Sequence, residues 1–448
     1  MMKKIIVLVF IAVLSACTTK SEPIVVSADE LHNSIDKVVE IMIHDIFSPP
    51  VASRIFAYPN IAAYEIIALE NEKYNSLEGQ VRELTAIPRP DTAKPVNYQL
   101  AALIAHIDLS RKLIFSEEKL TPLRDSLYTS WESINKKEFA ASKEYGLEVS
   151  EHISSWMSGD NYNQTRTMPK FTVEIDDTAR WQPTPPAYME GIEPHWNKIR
   201  PFVIESADQF KPAPPPAFNM EEGSVFYNEV KEVYDISNEI TEKGDESEEV
   251  AIARFWDCNP YVSVTRGHLM FATKKITPGA HWIGIVKIAA KTSESNFDDT
   301  IYAYTKTSMA IADAFISCWD EKYRSNLIRP ETLINKHFDE SWQPVLQTPP
   351  FPEYTSGHSV VSGAAAIALT DVFGDNFAFD DDTEVPYGLP VRSFTSFNEA
   401  ASEAAISRMY GGIHYRMAVE IGVKQGRDLG QFIVDNLSMI NEEKLAVN

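Results

Sequence analysis

Three groups of basic and hydrogen-bonding residues lie in the last third of the chain. The first is the run from Lys322 to Arg329, followed by Pro330. Lys322 and Arg329 are seven residues apart, so one continuous helix would carry both cations on one face. Pro330 biases Arg329 towards extended backbone and places the helix end there. The second group is Phe351-Pro-Glu-Tyr-Thr355-Ser356-Gly357-His358, which leads into a small, apolar segment reaching Leu369. Ser356 stands where a helix N-cap belongs, and Gly357 allows close approach to the first-turn amides. A helix N-terminus with free N–H groups receives anions, and His358 at its mouth can exchange protons with a bound oxyanion. The third group is Ser407-Arg408-Met-Tyr-Gly411-Gly412-Ile-His414. Six residues turn about 240° on a straight helix, which would point Arg408 and His414 apart. Gly411 and Gly412 interrupt that helix and let the two side chains converge across a bend.

Taken singly, each group has a plain structural alternative: a pair of solvated charges, a capped helix with an incidental histidine, or a glycine link with a core histidine. Taken together, two arginines, a lysine, a helix N-terminus and two histidines provide a site for a multiply charged oxyanion. The planar fork of arginine matches the geometry of such an anion.

The elements that must position these groups read as helices. Apolar spacing is helical from Asp29 to about Asn75, and again over Tyr98–Phe115 and Leu123–Met157. Further helical patterns cover 221–241, 246–256, 280–290, 297–322, 358–373, 397–409 and 415–437, and convincing runs of strict alternation are absent. Ile87 to Val96 reads as a linker, with prolines at 88, 90 and 95. Residues 159–218 are rich in proline and include Trp181 and Trp196. A segment of that length is more than a connector, and its aromatics predict that it wraps over the helical body. The class is mainly α. The organisation expected is a leader over 1–17, a tether over 18–27, an N-terminal helical region over 28–240 and a C-terminal catalytic region over 241–448 with its core at 320–435.

The chain has 448 residues and a formal net charge of −23. This charge argues against nucleic acid or an anionic membrane surface as a partner, since both are polyanions. Three cysteines exclude a disulfide scaffold and a CxxC-type zinc site. At the N-terminus, Lys3 and Lys4 precede an apolar run from Ile5 to Leu14, ten residues long. A helix needs ~20 residues to cross the hydrocarbon core of a bilayer, so this run does not span it. It ends in Leu14-Ser15-Ala16-Cys17, which resembles a bacterial lipoprotein signal. The resemblance implies lipidation of Cys17, a mature chain beginning there, and a location outside the cytoplasm, anchored to a membrane. Cys258 and Cys318 then remain; they could pair, but two buried thiols are the expectation.

The order Lys-x6-Arg-Pro, Ser-Gly-His and Ser-Arg-x5-His resembles the type 2 phosphatidic-acid phosphatase and vanadium haloperoxidase superfamily. These motifs span about a hundred residues. Phe351 to Ser359, Arg54 to Tyr64, His195 to Phe202, Phe255-Trp256 and Thr277 to Trp282 look like the secreted bacterial haloperoxidase branch and extend the likeness over most of the chain. The resemblance implies an α-helical fold built on four-helix bundles, with vanadate as cofactor in a cleft between helices. It implies that Lys322, Arg329 and Arg408, helped by Ser356 and the Gly357 amide, bind the oxyanion equatorially. His414 would be the axial ligand, His358 the acid–base residue, and Lys322 a second aid to catalysis. Hydrogen peroxide and a halide, iodide or bromide, would be the substrates. In the phosphatase alternative, phosphate chemistry occupies the same cage, His414 attacks a phosphoester and no metal is needed. A third reading is an inactive relative that serves as a binding lipoprotein.

Two positions depart from the superfamily pattern. Thr355 stands where proline is usual. Ala418 stands four residues after His414, where an aspartate often orients the imidazole. The ring then needs another acceptor, a backbone carbonyl or an acid from elsewhere, and Glu420 is on the wrong helical face. His281 and Trp282 are candidates either for the pocket wall or for structural packing.

Overall fold

A computed structural model describes residues 22–266, 269–272 and 275–445; the leader and Cys17 lie outside the described residues. The N-terminal half contains α1 (Ala28–Asp45), α2 (Pro49–Glu70), α3 (Tyr98–Leu113), α4 (Thr121–Ile134), α5 (Lys136–Met157), the single turn α6 (Tyr162–Thr165) and α7 (Val225–Lys243). After α8 (Glu248–Phe255), a hairpin pairs β1 (Ser263–Arg266) with β2 (Leu269–Ala272), Ser263 facing Ala272. Then follow α9 (Pro278–Thr292), α10 (Phe297–Ser325), α11 (Pro330–His337) and α12 (Gly357–Phe373). A second hairpin pairs β3 (Phe379–Asp381) with β4 (Arg392–Phe394), and α13 (Phe397–Tyr410), α14 (Arg416–Asn436) and α15 (Glu442–Leu445) complete the chain.

Local chemistry sets most of the helix starts. Ser27, Ser48, Asn97, Asn135, Ser224, Ser247, Thr277, Asn296, Ser356 and Ser396 each accept a backbone N–H of the first turn at their side-chain oxygen. Prolines at the first turns of α2 and α9 add a preset φ. Asn135 also divides the helix expected over 123–157 into α4 and α5.

Helices α2, α10 and α12 form the centre, buried on nearly every face. α2 packs on α3 and α10, and α12 packs on α10, α13 and α14. One apolar cluster runs from Ile24 to Met439, so the boundary drawn at residue 240 marks no break in the core. The tether reading also fails over its described end. Ile24 and Val26 are buried, and the Ile24 amide donates to Glu138 at 2.9 Å.

The α12–α14 seam is unusually close. A Cβ on Gly426 would lie 2.0 Å from the Val360 carbonyl oxygen, so only glycine allows these backbones to meet. This contact sets the N-terminus of α12 against the N-terminal end of α14. The Pro-rich segment wraps as expected: Trp181 and Trp196 are buried, and the Trp181 amide donates to the Asn326 carbonyl at 2.9 Å. Asp313 on α10 accepts the amides of Phe202, Val203 and Ile204 at 2.7, 2.7 and 3.0 Å, which pins the loop across the helix that carries Lys322.

Candidate active site

Arg329 and Lys322 do not share a helix face. α10 ends at Ser325, Asn326 turns into the left-handed region at φ 46°, and Arg329 immediately precedes the new helix α11. Arg329 is extended ahead of Pro330, as expected, and Pro330 in turn becomes the first residue of α11. The two cations converge because the chain reverses between them. The loop 351–355 then folds around both. Lys322 Nζ donates to the carbonyls of Pro352, Glu353 and Thr355 at 3.0, 3.0 and 2.6 Å, which uses all three of its N–H groups. Arg329 donates through Nε to Phe351 O at 2.9 Å and through Nη1 to Ile413 O at 2.9 Å. Its guanidinium lies 5.1 Å from the Phe351 ring centroid.

Arg408 and His414 meet as the glycine bend requires. α13 stops at Tyr410, and Gly412 takes φ 75° with Pro344 and Trp342 against it. The Ile413 amide returns to the Arg408 carbonyl. Arg408 Nη1 donates to the Trp256 carbonyl and lies 3.5 Å from His358 Nε2; Nη2 is 3.9 Å from Asp257. His358 occupies the first turn of α12, which Ser356 caps through the Ser359 amide. The Ser356 amide in turn donates to the carbonyl of Ala418 at 3.0 Å. Gly357, His358, Arg408 and His414, with Phe351, Trp319, Asn259, Cys258 and Pro49, line a cavity of about 30 Å³. That is more than the roughly 10–15 Å³ needed for one water and suits a small inorganic anion.

The acceptor missing at Ala418 is supplied by Glu353. Its Oε1 lies 2.7 Å from His414 Nδ1 and accepts the Tyr415 amide at 3.0 Å. A carboxylate at Nδ1 fixes the proton there and leaves Nε2 with its lone pair; Nε2 faces Arg329 Nη1 at 3.1 Å. Glu353 stands inside the motif that contains Ser356 and His358, and the lost aspartate was the signal that an acid elsewhere must replace it. Thr355, the other departure, donates its hydroxyl to Gln425 on α14 at 2.7 Å. His281 and Trp282 are buried outside the cavity lining, with Trp282 donating to Ser362 at 2.8 Å. Cys258 and Cys318 are free, buried thiols.

The electrostatics follow from the burial of cations. Burial pulls Lys322 down to about 8 and Arg329 down to about 10, and it lowers Arg408 as well. His358 and His414 are held well below 6.5, first by burial and then by Arg408 beside His358 and Arg329 beside His414. Both imidazoles are therefore neutral near pH 7. Burial also raises Glu353, while Arg329, Lys322 and the Tyr415 amide pull it back towards the ionised form that accepts from His414 Nδ1. Arg329 Nη2 and Arg408 Nε are buried with no hydrogen-bond partner. Orphaned guanidinium donors are costly, and an oxyanion between them supplies both the acceptors and the missing negative charge. The residues present fit such a group.

The chain is mainly helical, with buried, partly unpartnered arginines and an oriented histidine beside one cavity. Residues 303–443 match a family model described as the VCPO second helical-bundle domain. The crystal structure of the first bacterial vanadium-dependent iodoperoxidase is 70% identical, with a TM-score of 0.91, covering 94% of this chain and 99% of that one. Holo and apo forms of a bacterial vanadium-dependent chloroperoxidase share the fold at 16% identity, with TM-scores of 0.65 and 0.67. They cover 88% and 87% of this chain and 93% and 94% of their own. No curated protein matches. The chain belongs to the vanadium-dependent haloperoxidase family.

Proposed function

We propose that this enzyme oxidises iodide with hydrogen peroxide, using vanadate held at His414. The observation that carries the reading is the 70% identity, over 94% of the chain, to an iodoperoxidase. The Glu353–His414 pair and the two orphaned arginine donors support it from the geometry. Vanadate bound here supplies a Lewis-acidic centre that activates hydrogen peroxide towards halide.

The protein's part is binding, charge balance and proton management. His414 offers the Nε2 lone pair, since Glu353 keeps the ring proton on Nδ1. Arg329 Nη2 and Arg408 Nε donate to oxyanion oxygens, and the Gly357 amide adds a donor at the start of α12. His358 is neutral in the empty cage, and the negative charge of a bound oxyanion beside it favours its protonation, so it would accept a proton from peroxide as peroxide binds and return it to the water that leaves. The net reaction joins iodide, peroxide and one proton to give hypoiodous acid and water. Lys322 adds positive charge, while its three carbonyl partners make it the residue that holds the loop bearing Phe351 and Glu353 in place.

The N-terminal leader supports a lipid anchor at Cys17 and a location outside the cytoplasm. Among the described residues no helix is long and apolar enough to cross a membrane, which leaves anchorage to that lipid. Cys17→Ala should move the protein from the membrane to the soluble fraction; unchanged fractionation would refute the anchor.

The activity reading is tested by assaying peroxide-dependent oxidation of iodide and bromide by the chain from Thr18 onward after dialysis against orthovanadate. Vanadate-dependent turnover, competed by phosphate and abolished by His414→Ala, is expected. Turnover without vanadate, or phosphoester hydrolysis in its place, would overturn the reading.

A further inference from the structure

Adjoining the oxyanion cavity, with Cys258 in its wall, lies a second group of ligand-type side chains that the haloperoxidase reaction does not use. Cys258 comes from the segment after α8, His281 from the first turn of α9 and Glu384 from the turn after β3. All three are buried. His281 Nδ1 is 3.5 Å from Cys258 Sγ and 3.5 Å from Glu384 Oε1. The second distance is long for an N–H···O bond, which is usually 2.7–3.2 Å. Both match the edge of a tetrahedron around zinc: Zn–S of ~2.3 Å and Zn–N or Zn–O of ~2.0–2.2 Å give edges of about 3.3–3.6 Å.

The other side of the ring is arranged as a metal-ligating histidine requires. His281 Nε2 lies 2.8 Å from Asp381 Oδ2, Thr383 Oγ1 is 2.8 Å from the same nitrogen, and Thr383 donates to the other Asp381 oxygen at 2.6 Å. An Nε2–H bonded to a buried carboxylate directs the Nδ1 lone pair towards Cys258 and Glu384. The Trp256 indole stacks on the imidazole with centroids 4.4 Å apart and planes at 18°, which fixes the ring.

We propose that Cys258, His281 and Glu384 bind one divalent transition metal of the zinc class, with Asp381 and Thr383 orienting His281. A thiolate and a carboxylate balance the ion's two charges. A surface cleft of about 360 Å³, bordered by Gly284, Asp382, Thr383 and Tyr387, runs along the segment carrying Glu384 and provides an entry route. The ion ties the 256–258 segment to α9 and to the turn after β3. That segment presents the Trp256 carbonyl and the Asp257 carboxylate to Arg408, so the metal braces the cage without joining the reaction. The proposal is independent of the activity reading.

The test uses the chain from Thr18 onward, stripped with a chelator and kept free of vanadate. Titration with Co²⁺ is expected to give a tetrahedral visible spectrum and a near-ultraviolet thiolate-to-cobalt band that saturate at one equivalent. Zn²⁺ should displace the cobalt and raise Tm. Cys258→Ser should lose the thiolate band, and Glu384→Gln and Asp381→Asn should each weaken binding by about 10–100-fold. Glu384→Gln decides the matter if Cys258→Ser fails to fold. No binding by folded wild-type protein, or affinity unchanged in Glu384→Gln, would overturn the proposal.

Discussion

The contact on which the site turns is the one between Glu353 and His414. A histidine serves as a ligand only in the tautomer its second nitrogen permits, and here that nitrogen is committed to a buried carboxylate 2.7 Å away. Glu353→Gln preserves shape but replaces an acceptor-only carboxylate with a neutral amide that can also donate, so the tautomer of His414 is no longer dictated. It is expected to weaken activation by vanadate about 10–100-fold with the fold retained, as read from the vanadate concentration giving half-maximal iodide oxidation and from circular dichroism. Lys322 makes a different prediction. Lys322→Met strips a charged donor from three buried carbonyls, each costing about 1–3 kcal/mol when left unpaired, so it should lower stability to denaturant by several kcal/mol as well as activity. A merely electrostatic lysine would leave stability unchanged. Residue types and spacing pointed to Lys322, Arg329, His358, Arg408 and His414 as one basic group; His358, Arg408 and His414 line the cavity, while Lys322 and Arg329 lie outside its lining, bound to loop carbonyls. Glu353 was not legible as their partner, because its contact spans 61 residues and depends on how loop 351–355 folds around two cations.

At the scale of elements, helix starts were the most readable feature, since a capping side chain and the first-turn amide it serves lie three residues apart. One misreading was where a helix ends. Arg329 is extended before Pro330, as expected, but α10 has already stopped at Ser325 and Pro330 also opens α11; the supposed shared face of Lys322 and Arg329 disappears with that earlier end. The closeness of α12 to α14 was also hidden, although Gly422, Gly426 and Gly430 form a spaced series on α14. Gly426→Ala places a methyl carbon against the Val360 carbonyl. Overpacking of this kind costs about 1–3 kcal/mol or more, and moving α12 displaces Ser356 and His358 together. The variant should unfold at lower denaturant concentration and should also bind vanadate more weakly. Wild-type stability and affinity would show that the seam has slack.

For the whole molecule, a large core shared by both halves explains why residues from each reach the cavity: Pro49 opens α2 yet lines the same space as His414. It also predicts an acid limit. His106 on α3 is buried, its Nδ1 has no hydrogen-bond partner, and burial pushes it down to about 3; His32 is pushed down to about 4. Their unfolded value is near 6.5, so between that pH and the folded value the unfolded chain binds more protons. Stability is therefore full above about pH 6.5 and falls on acidification, by up to ~1.4 kcal/mol per pH unit for a fully shifted histidine. His106→Leu should flatten the dependence of Tm on pH below 6.5, and an unchanged slope would exclude His106 as its source. The central claim is that one oxyanion, held by His414 between Arg329 and Arg408, makes this molecule a peroxidase. Its most direct test is to titrate vanadate-free protein with orthovanadate and follow peroxide-dependent iodide oxidation. The activity should rise from baseline to a plateau at one equivalent, while His414→Ala stays flat; iodide oxidation that ignores vanadate, or survives in His414→Ala, would contradict the account.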